Sequence, residues 1–303
     1  MTNRREIPTN LILREPFHDA LRFSHEAMAT VFEIFIVHED DAYARQAAWE
    51  SFRELDRIEQ ELSRFIENSD ISRINRLTRN QSIPVGLDAF ECLKHSHHLN
   101  QMTHGAFDIA FESLQHNSRK KTSVDRLLLD ENHHSVQLLS DSIHLDLGGI
   151  GKGYALDRMA ELLREWEIPS ALIHGGMSSV LALAEPPGEE GWPVTLSNPQ
   201  NRKILASIDL KDRSLSGSGL QKGDHIIDPR TGQPVKGTLA AWVSTPDAAT
   251  SDALSTAFMV MTPEEIQETC LSHPDIQALV VLHDEGRVKK GGHILKFGDW
   301  ELV

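Results

Sequence analysis

Residues 145–157 read Leu-Asp-Leu-Gly-Gly-Ile-Gly-Lys-Gly-Tyr-Ala-Leu-Asp, four glycines and a lysine placed where one periodicity gives way to another. Residues 142–147 alternate as a strand does, whereas Ala155, Met159, Leu162, Leu163 and Trp166 recur at helical spacing. The glycines therefore sit at a predicted helix N-terminus. Unpaired N–H groups and the positive end of the helix dipole gather there and favour phosphate or carboxylate, which glycine lets the backbone approach closely. Lys152 adds a movable positive charge. The spacing fits neither the dinucleotide fingerprint nor the phosphate loop that ends in Lys-Ser/Thr. Glycine turns of this kind also arise from packing, so the motif alone leaves function open.

A length of 303 residues allows one large domain or two moderate ones. Hydrophobic residues at 40% and charged residues at 25% match an ordinary globular protein. The net charge of -15 opposes binding to nucleic acid or to an anionic membrane surface. A small anion stays compatible with it, because local N–H groups with one lysine or a metal ion overcome the global field. Cys92 and Cys270 are far apart and form no ligand spacing, so no disulfide framework or cysteine zinc site is expected. No apolar window reaches membrane-spanning length and the first residues lack a signal-peptide core, which predicts a soluble, cytoplasmic protein in a reducing compartment.

Residues 1–20 carry charges and two prolines that interrupt any period, predicting an N-terminal arm, with order beginning near His25. Residues 28–37 read as a strand and 42–62 as a helix with Ala48, Phe52, Leu55, Ile58 and Leu62 along one side. Asn68-Ser69-Asp70 marks a turn. A second helix covers 87–102 and ends at Thr103-His104-Gly105. Beyond the glycine motif the pattern shifts to short β runs at 170–174, 180–183, 194–197 and 204–210, then a helix over 248–261 and a strand over 278–283. Interleaved helices with recurrent hairpin-like strand pairs predict an α+β fold rather than a doubly wound parallel sheet.

Two further segments carry chemistry. On a helix over 248–261, Leu254, Ala257, Phe258 and Met261 share one side, and Asp252, Ser255 and Thr256 share the other. A carboxylate with hydroxyls at i+3 and i+4 offers hard oxygen ligands of the kind magnesium prefers; the plain alternative is a solvent-facing amphipathic helix. The segment Gly223-Asp224-His225-Ile226-Ile227-Asp228-Pro229-Arg230-Thr231-Gly232 is a short strand closed by a β-turn sequence. Its His225 is suited to act as a general base near a phosphoryl group. His95, His97 and His98 do not converge on one helical face, and His133 and His134 sit in a polar turn, so neither group reads as a metal site.

In chain order, Met28-Ala29-Thr30, Leu55-Asp56, Ser63-Arg64-Phe65, Ser69, Asn75, Gly105-Ala106-Phe107-Asp108, the motif from Asp146 to Tyr154, Gly175-Gly176, Ser218-Gly219, the His225 to Gly232 segment, Asp252 and Thr256 together resemble the FAD:protein FMN transferase family, also known as the ApbE family. The resemblance implies a single α+β domain over 21–303, made of two similar T-fold-type halves with the ligand cleft between them. It implies magnesium-dependent transfer of FMN from FAD to a Ser or Thr hydroxyl of an acceptor protein, with release of AMP. An FAD pyrophosphatase or a non-catalytic FAD-binding protein are the alternatives. Carried over by motif, the Gly151 carbonyl, Asp252 and Thr256 would hold the metal, with Ser255 adjacent. Met28, Phe65, Ala106, Phe107, Asp108, Gly148, Tyr154 and Ile226 would contact the flavin nucleotide, and Lys152 and His225 would flank the pyrophosphate. Ala29, Phe65 and Gly151 depart mildly from the family pattern. The stretch from Leu220 to Asp224 is shorter than the aromatic hairpin common there.

Overall fold

The computed structural model describes residues 11–13, 20–111, 122–176, 178–198, 203–220, 226–283 and 293–302. Strands β1 (Leu11–Leu13), β2 (Leu21–Ala27) and β3 (Thr30–Val37) lead into helices α1 (Asp41–Leu62) and α2 (Asp70–Ile74). Next come β4 (Ser82–Pro84), α3 (Leu87–Met102), α4 (Ser123–Arg126), β5 (Leu127–Asp130), β6 (Ser135–Leu138) and α5 (Gly151–Glu165). Four sheet strands follow, β7 (Ser170–Gly175), β8 (Ser179–Ala182), β9 (Trp192–Ser197) and β10 (Ile204–Leu210), and then β11 (Arg213–Gly219). The remainder is β12 (Ile227–Asp228), β13 (Gln233–Pro234), β14 (Thr238–Thr245), α6 (Ala248–Ala257), α7 (Pro263–Ser272), β15 (Gln277–Leu282), β16 (His293–Phe297) and β17 (Glu301–Leu302).

One antiparallel sheet organises the molecule, in the order β2-β3-β7-β8-β11-β14-β15-β16. Its sequence logic repeats. The pair β2-β3, a run of helices and the pair β7-β8 form one half; β11-β14, the helices α6 and α7, and β15-β16 form the other, with the two joined at β8 and β11. This is the α+β arrangement expected from the hairpin-like strand pairs.

Alternation along β3 shows how the layers are built. Phe32, Ile34 and Ile36 join the core under α1, α5 and α6, while Phe35 faces the opposite core with Trp192, Val194 and Leu196 of β9. That second core lies under a small sheet of order β1-β9-β10-β17. Full burial of side chains such as Phe32 or Trp242 contributes roughly 2–3 kcal/mol each. Gly217 on β11 faces Trp242 on β14, and a Cβ at Gly217 would stand 2.6 Å from the indole Cδ1, so the glycine makes room for the ring.

Several boundaries differ from the sequence expectation. The strand read over 28–37 begins at Thr30, because Met28 and Ala29 take φ of 49° and 57° and form the turn between β2 and β3. Strand β2 begins at Leu21, ahead of His25, and Leu11–Leu13, inside the segment read as an arm, pairs with β9. Residues 142–147 alternate in burial yet join no sheet. There the side chain of Asn75 takes the place of a neighbouring strand, accepting from Leu145 N–H at 2.7 Å and donating to Leu145 O at 3.1 Å. The helix expected over 248–261 stops at Ala257 and continues as turns. Among the described residues, no helix is long and apolar enough to cross a membrane.

Candidate active site

Helix α5 starts at Gly151, and its capping residue Ile150 brings no side-chain acceptor. Gly153 finds one across the interface with α6, donating its N–H to Asp252 Oδ2 at 3.2 Å. Helix α6 is capped in return. Ala248 and Ala249 donate to Asp157 Oδ1 and Oδ2 at 2.7 and 2.8 Å, and Thr250 donates to its own N-cap Asp247 at 2.8 Å. Each helix thus supplies a carboxylate to the other's first turn, where N–H groups lack intrahelical carbonyls. Gly153 permits the close crossing, since a Cβ there would lie 2.1 Å from the Ala248 carbonyl oxygen.

Around Asp252 the groups converge. Lys152 Nζ lies 3.5 and 3.4 Å from its two carboxylate oxygens and 3.4 Å from the Gly148 carbonyl, and Ser179 Oγ donates to Oδ1 at 3.2 Å. The solvent-facing alternative for this helix is overturned, because residues 248–255 are all buried. Its polar side meets a serine-lined strand instead of water. Ser214, Ser216 and Ser218 alternate along β11, with Ser216 Oγ 2.8 Å from Ser251 Oγ and Ser218 Oγ 2.9 Å from Ser255 Oγ and 3.3 Å from Thr256 Oγ1. The glycine turn reaches the same place: a Cβ on Gly149 would stand 3.5 Å from Thr256 Oγ1 and 3.3 Å from Phe107 Cε2.

The donor chemistry suits magnesium completed by water and substrate phosphate, with one buried carboxylate, hydroxyl oxygens and backbone carbonyls. A dedicated cage is not built, since no group of three or more His, Cys, Asp or Glu gathers among the described residues.

The other candidates take distinct positions. Gly148 N–H donates to Asp146 Oδ1 at 2.8 Å, an Asx turn that shapes the glycine loop. Phe107 is held by the end of α3, its N–H on Thr103 Oγ1 at 3.0 Å and its carbonyl accepting from Asn100 Nδ2 at 2.7 Å. Ala106 beside it is buried. Asp108 is also buried, and its carboxylate accepts from the N–H groups of Ala110 and Ser123; burial pushes its pKa up. Tyr154 donates its hydroxyl to Asp88 Oδ1 at 2.8 Å, and burial, then Asp88, raises its pKa above the ordinary phenol value. Arg57 and Arg158 hold the same Asp88 carboxylate at 2.6 and 3.3 Å.

Phe65 is 85% exposed, the most open of the large apolar side chains described, with the Arg64 guanidinium 4.8 Å from its ring centroid. Arg64 also lies 3.3 Å from Asp146, which links this aromatic to the glycine loop. Met28 lines a cleft of about 880 Å³ with Thr30, Glu33, His174 and Gly176, a set that shares no residue with the Asp252 cluster. Ile226 is buried, and the turn after it is anchored by Arg230, which reaches Asp228, Glu265 and the Val260 carbonyl. His225 lies outside the described residues, as do residues 221–224 before it.

Gly148, Lys152, Asp252 and Thr256 therefore come together, with Phe107 beside them across Gly149. The histidines set aside earlier stay apart from them: His95 bonds Thr250 Oγ1 at 3.0 Å, and burial pushes the His97 pKa down to about 4. Sequence reasoning missed Asp157, Ser179 and Asp88. The signal for Asp157 was its position one turn beyond Gly153, which puts both on the α6-facing side of α5.

A model of the ApbE family matches residues 28–280 of this chain. An FAD:protein FMN transferase of Klebsiella pneumoniae (strain 342) is 24% identical over 306 residues, covering 89% of this chain and 87% of its own. One from Escherichia coli (strain K12) is 27% identical over 252 residues, 71% of each chain. In three dimensions the chain is similar to the ApbE protein of Thermotoga maritima, with a TM-score of 0.78 at 25% identity over 91% of this chain and 96% of the other. The apo flavinyl transferase ApbE of Pseudomonas stutzeri gives 0.79 at 22% identity over 91% and 94%, a likeness of fold.

Proposed function

The chain belongs to the ApbE family, and on that premise we propose that it transfers FMN from FAD to a Ser or Thr hydroxyl of an acceptor protein, with magnesium required and AMP released. One observation carries this reading: Asp252 is buried against the glycine-rich start of α5, with Lys152 and Ser179 on its carboxylate and the hydroxyls of Ser255 and Thr256 on its backbone carbonyl. Phosphoryl-type transfer needs positioning and charge neutralisation more than covalent help from the protein, and this cluster offers both.

In the reaction proposed, the bond between the FMN phosphorus and the oxygen bridging to AMP breaks while a new P–O bond forms to the acceptor hydroxyl. Asp252, Thr256 and the Gly151 carbonyl are assigned to hold magnesium, with Ser255 beside them. That ion, when bound, would offset charge on the pyrophosphate and stabilise AMP as it leaves. Lys152 sits on the α5 N-terminus and supplies a second positive charge to the same phosphates. His225 is assigned the acceptor's proton on its motif alone. Phe107, Ala106, Asp108, Gly148, Tyr154, Phe65, Met28 and Ile226 are assigned to the flavin nucleotide; the exposed ring of Phe65 supports a planar ligand against it. A cytoplasmic location belongs to the same proposal and is supported by Cys92 and Cys270, both buried and unpaired.

The test is incubation with FAD and magnesium, with and without a candidate acceptor protein, followed by mass measurement of every product. Acceptor carrying FMN, together with AMP in equal amount, is the expected result. AMP and FMN at the same rate without acceptor would replace transfer by hydrolysis. FAD bound and unchanged would remove the enzymatic reading.

A further inference from the structure

The two carboxylates exchanged between α5 and α6 have unequal duties. Asp252 meets Gly153 through a single 3.2 Å contact and shares its oxygens with Lys152 and Ser179. Any ligand that draws on Asp252 competes with that tie. Asp157 is free of such competition, with each oxygen committed to one of two adjacent N–H groups at 2.7 and 2.8 Å. A carboxylate matches that pair of donors, whereas an amide brings one oxygen and aims its NH₂ at the second N–H.

Ionising Asp157 in this setting costs stability. Desolvation, with Asp247 and Glu161 nearby as like charges, pushes the Asp157 pKa up to about 7. Asp157 accordingly stands where geometry is served at the expense of an easily ionised state. Asp252 and Thr256 lie four and eight residues past Ala248 on a helix rising about 1.5 Å per residue, so a shift at the start of α6 is passed on to both.

We propose that Asp157 is a positioning residue, which clamps the first turn of α6 onto α5 and so fixes Asp252 and Thr256 opposite Gly151 and Lys152. This rests on the magnesium reading above and deepens it. Asp157 touches neither substrate nor metal; it acts through α6.

The test uses Mn²⁺ as a probe for the magnesium position, with the unbound ion counted by electron paramagnetic resonance in the presence of FAD. Wild type is compared with Asp157→Asn and with Leu279→Ala, a substitution in the second core that lowers stability far from the site. Asp157→Asn is expected to weaken Mn²⁺ binding by about ten-fold or more. The half-saturating magnesium concentration for AMP release should rise in parallel while turnover at saturating magnesium is largely kept. Leu279→Ala should leave Mn²⁺ affinity within about two-fold, as distant sites do. Mn²⁺ affinity in Asp157→Asn no weaker than in Leu279→Ala overturns the proposal. A wild-type protein that binds no Mn²⁺ sinks the magnesium reading itself, and this inference with it, a pattern told apart by all three proteins behaving alike. Amide hydrogen exchange in wild type is a second check, independent of any variant. Ala248 and Ala249 should exchange slowly despite their first-turn positions, and exchange at the rate of open amides overturns the clamp.

Discussion

Lys152 Nζ stands 3.4 Å from Asp252 Oδ2, a contact between residues a hundred positions apart that brings the start of α5 against the polar side of α6. Because the carboxylate is buried and the ammonium mostly so, the pair concentrates two opposite charges at the place where a pyrophosphate is proposed to sit.

Replacing Asp252 with Ala is expected to abolish flavin transfer, a loss on the order of 10³-fold or more, in line with removal of a charge-stabilising group. FAD binding should survive in part, since Phe107 and the glycine loop remain. A fluorescence titration of FAD beside a turnover assay separates the two effects, and unchanged turnover contradicts the metal assignment.

Gly153→Ala puts a methyl group 2.1 Å from the Ala248 carbonyl oxygen. The overlap is with backbone and cannot be relieved by a rotamer, so α5 and α6 must part at a cost of about 1–3 kcal/mol. Urea denaturation reads the loss; a variant as stable as wild type would show that the helices do not cross this closely.

The raised pKa of Asp157 gives a signed dependence on pH. The folded protein holds this proton up to about pH 7 while the unfolded chain releases it near the ordinary value of 3.8. Stability contributed by the group is therefore complete below the lower value, falls as pH rises between the two, and is lost above the higher one. The stability difference between wild type and Asp157→Asn, measured without metal, should shift against wild type across that window. A flat difference would mean that Asp157 ionises as an ordinary carboxylate.

Ala29→Gly should stabilise the protein by about 1 kcal/mol, because Ala29 holds a φ of 57° in the β2-β3 turn and glycine removes the Cβ that makes this region unfavourable. Thermal unfolding tests it, and a decrease in midpoint would show that the turn draws stability from the methyl group.

Local structure was legible wherever the chain carries its own punctuation. Helix α3 is read to the residue, with Thr103-His104-Gly105 stopping it and His104 and Gly105 both at positive φ. The division of α6 into two faces was legible too. What covers its polar face was not, because a pattern of Asp, Ser and Thr at helical spacing reads alike against water or against the serines of β11. Long-range substitutions for regular hydrogen bonding leave no periodic trace either. Asn75 stands in for a strand beside Leu145, and Asp157 caps a helix that begins far downstream; each depends on topology that only the folded chain supplies.

The small sheet draws β1 from near the start of the chain, β9 and β10 from its middle and β17 from near its end. Trimming either flank would therefore uncover a raw strand border on the same layer, β9 on one side and β10 on the other. Shortened forms should stick to one another through that border even while the helices over the opposite face keep their places.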